Sequence, residues 1–553
     1  MSSDLRTVVK AVPKQSWNRV EILFLSLFIN IFAVALPVFI LQVYDRVLPL
    51  GAANSLYVLV AGLTIVIIFD NILKTARTRI ISWNGAQFEH LARITAVDKI
   101  LRCPYELFES NSPGSYLEKV NSIGAVKDFY SSQIATLMID LPFAVLFLSL
   151  IYMLGGQLVA VPMTLICLFG FLAVIVGGRL RTAVSNRVST DDSRYDFLLE
   201  VLNGIHTVKA MNLKQSMMRR FERLQERTAQ AVRKVAMGSA AAQGLGSLFG
   251  QLNLVSVISY GGYLVVQGDL TAGKLAACML LSGRALQPML SAMSIWTSYQ
   301  TVKVSAAKAA DVMRLPEECS RDLPEIPPIS GALEIRGLNF AYGNAAEPFI
   351  KNANLKIDAG EIISLEGANS SGRTTLMFLI LGLLRPQGGQ ILLDGMNIFD
   401  YDLRSVRGEI SMISHNAPLY SGNLIDNMTG YQKGKVVDRA LELSQALGLD
   451  QEIKNLPEGF DTQVGGSTVE RIPGGVRQRI AIVRALVDNP KLILFDEGNL
   501  SLDAKSDELL RKLLTELKGK STMILVSSRP EIQALADRHF IMVEGDLRLK
   551  LRD

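Results

Sequence analysis

The chain has 553 residues, 49% of them hydrophobic and 20% charged, and a formal net charge of +5. That is too long for one ordinary domain and too apolar for a pair of soluble ones, so a membrane portion is expected. The positive charge is spread thinly rather than gathered into a Lys/Arg block, which argues against a nucleic-acid partner.

The first residues, 1–19, are polar and carry Lys10, Lys14 and Arg19. They read as a cytoplasmic N-terminal segment. The apolar run that follows is too long for a signal h-region and lacks a small-residue cleavage site, so it is expected to remain as a membrane helix. Crossing a hydrocarbon core takes roughly 20 mostly apolar residues. With that window the sequence predicts membrane helices at about 20–44, 55–73, 131–154, 158–178, 240–267 and 273–298. Two long polar stretches remain, about 74–130 and 179–239. Lys74, Arg77, Arg79, Arg179, Arg181 and Arg187 crowd the helix ends there, which places both stretches in the cytoplasm. Their spacing of three and four predicts helix, broken by turns at Ser112-Pro113-Gly114-Ser115 and Thr190-Asp191-Asp192-Ser193 that would dock another domain. Gly244, Gly246, Gly250, Gly261 and Gly262 predict close helix packing. Asp70, Asp140 and Arg284 lie in or near apolar runs. Such charges face a polar path or hold helices together, and the sequence leaves both open. Cys103, Cys167, Cys278 and Cys319 have no C-x-x-C spacing and read as free, packed thiols in a reducing compartment.

Residues 316–330, with Pro316, Pro324, Pro327 and Pro328, read as a Pro-rich linker between a membrane domain, 20–315, and a second domain, 331–553. In that second domain β-type runs (Leu333–Ile335, Glu361–Leu365, Leu492–Phe495, Thr522–Val526) alternate with helical segments, predicting an α/β fold with a largely parallel sheet.

The strand at Glu361–Leu365 runs into Gly367-Ala368-Asn369-Ser370-Ser371-Gly372-Arg373-Thr374-Thr375 and then an apolar helix. Glycines there let backbone N–H groups and a helix N-terminus surround phosphate, and Thr374 can reach Mg²⁺. The position that usually holds Lys carries Arg373, whose flat, bulkier guanidinium is a poor bridge between β- and γ-phosphates. Leu492–Phe495 ends in Asp496, placed to hold the same Mg²⁺, and Glu497, placed to polarise water.

Next to Leu456-Pro-Glu-Gly-Phe-Asp-Thr-Gln-Val-Gly465 and Ile472-Pro473-Gly474-Gly475-Val476-Arg477-Gln478-Arg479, the chain resembles the ABC transporter family over its whole length. The resemblance implies a fold of a membrane all-α six-helix ABC exporter domain fused to a cytoplasmic α/β P-loop nucleotide-binding domain. It also implies ATP and Mg²⁺ as cofactors, and a dimer that sandwiches ATP between one chain's P-loop and the other's signature. Carried over, the signature Ser is Pro473 and its Gln is Val476, while Gly474 and Gly475 are retained. His415 stands where the family has the Q-loop Gln, and Ser528 where it has the switch His. Tyr342 matches the adenine-stacking aromatic and Asp503 the D-loop. These departures predict a degenerate subunit that hydrolyses ATP slowly or not at all and needs a second, better-equipped ABC chain.

Leu41-Gln42-Val43-Tyr44-Asp45-Arg46-Val47-Leu48 and Ile139-Asp140-Leu141-Pro142-Phe143 resemble exporters of bacterial type I protein secretion. Leu199–Ala210 is similar to a stretch common to exporters generally. The resemblance implies the bacterial inner membrane and its lipid, a periplasmic adaptor, an outer-membrane channel and unfolded secreted protein cargo. With under 20 residues before the first helix, no peptidase-like domain is expected there. A non-catalytic structural or regulatory membrane subunit and a small-molecule or lipid exporter are the competing readings.

Overall fold

The computed structural model describes residues 3–12, 19–131, 133–319, 323–343, 347–415, 418–456, 458–464 and 472–550. Lys14, Pro457, Gly465 and residues 320–322 of the expected linker lie outside these. The chain divides into two compact units, Met1–Cys103 with Asn111–Pro316, and Pro104–Ser110 with Glu317–Asp553.

The first unit is helical: Arg19–Phe32, Ala35–Gln42, Ala53–Leu101, Pro113–Ser131, Gln133–Gly155, Ala160–Asn203, Lys214–Gln267 and Ala272–Met313 are its main helices. Among the described residues four runs are long and apolar enough to cross a membrane, Val20–Leu50, Ala53–Leu101, Asp140–Asn203 and Lys214–Gln267. The third, which starts at Asp140, holds the greater part of the segment expected at 131–154 and all of that at 158–178, joined by a 3-10 turn at Gly156–Val159. The expected sixth, 273–298, falls within Ala272–Met313. Phe24, Val145, Tyr152, Val174 and Val266 stand exposed on these helices, an apolar surface suited to hydrocarbon rather than water.

Of the two expected turns, the first falls at a break between helices, Tyr105–Glu109 and Pro113–Ser131, slightly ahead of its expected place, and the second is absent. Thr190–Ser193 lies inside the continuous Ala160–Asn203 helix. Asp191 is engaged at helical spacing, 3.6 Å from Arg187 and 3.5 Å from Arg194, while Asp192 accepts from Lys308 of another helix at 2.7 Å. Aspartates that favour turns in isolation are stabilised in a helix by basic neighbours three and four residues away. The real break comes at Gly204 and Met211–Leu213, around a short helix Ile205–Ala210. In the first stretch, Pro113 opens a helix, as proline can at a first turn. The part that belongs to the second unit is Pro104–Ser110 rather than 112–115. There Tyr105 packs edge-on to Phe378, with ring centroids 5.4 Å apart.

Of the five glycines expected to pack closely, Gly261 is the clearest case. A Cβ there would collide with the Leu275 side chain, whereas Gly244 and Gly262 have nothing within 4 Å. None of the four cysteines is in a disulfide, and Cys167 is exposed rather than packed. Asp140 is held by Arg77 Nη1 at 3.1 Å and by Asn30 Nδ2 at 3.1 Å, and the same Arg77 nitrogen donates to Ser26 Oγ at 3.1 Å. This cluster ties three helices through one nearly buried guanidinium. Asp70 pairs with Lys74 at 2.6 Å, one turn along its own helix, and Arg284 is exposed. Asp45, in the π-helical turn Val43–Val47, accepts from Thr271 Oγ1 at 2.7 Å and from the Gly273 N–H at 3.0 Å. It thereby caps the Ala272–Met313 helix. The N-terminal helix Ser3–Ala11 buries Leu5 and Val8 against Phe88, Ala92, Ile123 and Ala306, and Asp4 accepts from Arg314 at 2.8 Å.

The second unit has twelve strands among its described residues: β1 Leu333–Phe340, β2 Ile350–Ile357, β3 Ile362–Gly367, β4 Gly388–Leu393, β5 Met396–Asn397, β6 Ile410–Ser414, β7 Gly422–Asn423, β8 Gln463–Val464, β9 Leu492–Asp496, β10 Thr522–Val526, β11 Arg538–Val543 and β12 Asp546–Leu549. The main sheet has the order β12-β11-β3-β10-β9-β6, parallel except for the β11–β12 hairpin. Strands β9 and β10 are buried at every residue, as expected of parallel strands covered on both faces. One face packs with an antiparallel sheet β2-β1-β4-β5 around Leu333, Phe340, Leu376 and Ile524. The other packs under the helices Leu424–Thr429, Lys435–Ala446, Gly474–Leu486 and Ala504–Leu517. The expected linker is part of this unit. Glu318 pairs with Arg407 at 2.5 Å, the Ile326 N–H donates to Ser405 Oγ at 2.9 Å, and Ile326 and Ile329 are buried.

Candidate functional site

The carboxyl ends of four adjacent parallel strands, β3, β10, β9 and β6, converge, the place where open α/β sheets present ligand-binding groups. From β3 the chain turns through Gly367–Gly372 into the helix Arg373–Ile380. Gly367 has φ +153°, and a Cβ there would come within 2.6 Å of Ser371 Oγ and 2.7 Å of the Met542 carbonyl oxygen. Gly372 has φ +110° and Ser370 φ +65°. The loop folds tightly on itself, its N–H groups ahead of a helix N-terminus, which is an anion-binding arrangement. Ser371 Oγ is buried in it without a hydrogen-bond partner among the described residues.

At the mouth, Thr374 Oγ1 donates to Asp496 Oδ2 at 2.8 Å, joining the first turn of that helix to the end of β9. A hydroxyl and a carboxylate suit a hard cation that keeps waters and phosphate oxygens in its shell, as Mg²⁺ does. Glu497 follows with φ +51°, its N–H donating to the Val526 carbonyl of β10 at 2.8 Å. A non-glycine residue held there is a strained one, and such strain persists where neighbours over-determine it.

Arg373 extends across this mouth. Its Nη2 lies 3.8 Å from Glu497 Oε1 and 3.5 Å from Asn369 Oδ1. Tyr342 is half-exposed, bonds through its hydroxyl to Thr375 Oγ1 at 2.8 Å, and has the rings of Phe340 and Phe349 edge-on to it.

Ser528 is exposed just beyond β10, and His415 just beyond β6, while Asn416 lies outside the described residues. Pro473 caps the helix Gly474–Leu486. Gly475 lies so near the Ser501 carbonyl that a Cβ would stand 3.2 Å from it. Val476 is buried in the core under that helix rather than displayed. Asp503 caps the next helix, accepting from the Ser506 N–H at 2.9 Å. The Ser506 hydrogen bonds keep its carboxyl below the ordinary aspartate value.

Three residues to which motif reading gives no role hold these parts in place. Gln478 donates from the signature helix to the Ser414 carbonyl at 2.8 Å. Asn499 accepts from Ser527 Oγ at 3.2 Å and donates to Asp507 at 2.9 Å. Arg529 pairs with Asp507 at 3.1 Å and donates to the Leu502 carbonyl at 2.8 Å. Local sequence offers only weak signals for them, since each acts across 8 to 64 positions of chain.

Comparison with known proteins agrees with this architecture. Residues 20–289 match the family described as ABC transporter transmembrane region and residues 350–499 the family described as ABC transporter. The chain belongs to the ABC transporter family, with a helical transmembrane domain fused to an ATP-binding cassette. It is 28% identical to the alpha-hemolysin translocation ATP-binding protein HlyB of Escherichia coli, over 98% of this chain and 77% of that one. It is 27% identical to the toxin RTX-I translocation ATP-binding protein of Actinobacillus pleuropneumoniae, with the same coverage. The fold matches a bacterial Atm1-family ABC exporter with ATP bound, TM-score 0.83 at 18% identity, over 98% of this chain and 94% of that one. The chain is thus a membrane ABC exporter related to type I secretion translocation proteins.

Proposed function

We propose that the chain is a subunit of a protein exporter in the bacterial inner membrane that binds ATP with Mg²⁺ but turns it over slowly, and that works beside a second ABC chain. The observation that carries this reading is Arg373 lying against Glu497, with a serine, Ser528, in place of the switch imidazole. In an intact site the P-loop cation serves the phosphates and the carboxylate orients water. Here the cation neutralises the carboxylate.

The rest of the site retains binding capacity. Backbone N–H groups of 367–372 and Ser371 Oγ would hold phosphates, Tyr342 would lie on adenine, and Thr374 and Asp496 would hold Mg²⁺. Bound there, the ion would screen phosphate charge. Gly474 and Gly475 leave the signature helix N-terminus open to a partner's nucleotide, without the hydroxyl that Pro473 lacks. By relationship to the toxin translocation proteins, cargo is an unfolded secreted protein, passed on through a periplasmic adaptor and an outer-membrane channel.

ATP turnover by the purified chain tests this. It should fall well below the about 1–10 s⁻¹ of ordinary transporters, and Arg373→Lys with Ser528→His should raise it. Turnover in the ordinary range by the chain alone would overturn the reading. So would finding only homodimers in native membranes.

A further inference from the structure

We infer that the P-loop of this chain is selective for a nucleoside diphosphate over a triphosphate, with the Arg373 guanidinium standing in for the terminal phosphoryl group. The inference rests on the reading of this loop as a nucleotide site and adds which nucleotide it holds.

One nitrogen of the guanidinium lies between two partners. Asn369 belongs to the phosphate loop and Glu497 to the end of β9, and Arg373 Nη2 lies 3.5 Å from the first and 3.8 Å from the second. The group therefore spans the gap between loop and strand end. Its place is set further by the pair beside it, since Thr374 and Asp496 are joined at 2.8 Å. Glu497 directly follows Asp496, so the Arg373–Glu497 contact lies beside the carboxylate that would hold Mg²⁺. In a P-loop the cation after the last glycine meets the β- and γ-phosphates, which makes this the end of the loop a terminal phosphoryl group would enter. The charge of Glu497 is one-third exposed at most, and that of Arg373 less, with side-chain exposures of 28% and 17%.

A triphosphate entering this site has two costs. It must displace a planar, multi-donor group that cannot withdraw as a compact ammonium does. It must also set its terminal charge beside Glu497 once that carboxylate has lost its cation, a like-charge contact in a partly shielded site. A diphosphate meets neither. It needs the inner part of the loop, where the Ser371 hydroxyl is buried, in a residue 9% exposed, and has no hydrogen-bond partner among the described residues. A phosphate oxygen would accept that hydroxyl's proton as a hydrogen bond and remove a buried polar defect.

The test is competition binding on the full-length chain in nanodiscs with Mg²⁺, using ADP and a non-hydrolysable ATP analogue against a fluorescent ADP. ADP is expected to bind about tenfold tighter or more, the scale of one charge-assisted contact. Arg373→Lys, which shortens the cation, and Glu497→Gln, which releases it, should each bring the ratio toward one by strengthening the triphosphate. Equal or tighter binding of the triphosphate by the unaltered chain overturns the inference, as does an unchanged ratio in Arg373→Lys. A shift in Arg373→Lys without one in Glu497→Gln removes Glu497 from it. Binding of neither nucleotide would overturn the nucleotide-site reading as well, whereas ordinary ATP turnover would overturn only the reading of a slow subunit.

Discussion

Gly367 shows how much one backbone position decides. Its φ of +153° and the 2.7 Å approach to the Met542 carbonyl leave no room for a side chain, and a carbonyl in a neighbouring strand cannot step aside. Gly367→Ala should weaken fluorescent ADP binding by about tenfold or more, through loop strain of roughly 1–2 kcal/mol plus the clash. Gly343→Ala is the control: Gly343 also has positive φ, +57°, but nothing within 4 Å, so nucleotide binding should be unchanged. Arg373, Thr374, Asp496 and Glu497 were legible as candidates because a P-loop and an acid-ended strand have characteristic spacing. That Arg373 turns onto Glu497 was not legible. The two are 124 positions apart, and only the register of β9 against β10 and β3 brings them together.

At the scale of elements, the membrane helices are joined by polar contacts whose partners hydropathy cannot name. Asp140 was open between a polar path and a helix joint, and its bonds to Arg77 and Asn30 make it a joint in this structure. Removing one partner of a buried pair strands the other, at about 3 kcal/mol or more, while replacing both with apolar groups costs far less. Arg77→Met and Asp140→Leu should therefore each lower the thermal midpoint in detergent, and the double variant should recover most of the loss. Additive losses would mean the pair does not act as a unit. The misplaced turn at Thr190–Ser193 has the same origin. Single-residue preference favoured a turn there, but Arg187, Arg194 and Lys308 supply charges that make helix the lower state.

Across the whole molecule, the division of the chain does not follow composition alone. Pro104–Ser110 leaves the helical unit's sequence to join the nucleotide unit, and the Pro-rich stretch after Glu317 is strapped to that unit rather than free. The N-terminal helix, polar on average, docks through two apolar residues on one face. Leu5→Ala should release it, at about 3 kcal/mol, and speed amide exchange over residues 3–11 without loss of the α/β unit's protection. Protection unchanged over 3–11 would show that Leu5 does not anchor the helix. By itself, the sequence determined the two-part architecture, the strands that carry the site and the residues of its P-loop. Those features are local: hydrophobic runs, glycine spacing and helix caps are written in consecutive residues. Tertiary structure decided which charges meet, where the long helices break and what Arg373 does. These depend on contacts between positions far apart in the chain, where burial and neighbouring charge outweigh the preference of any single residue.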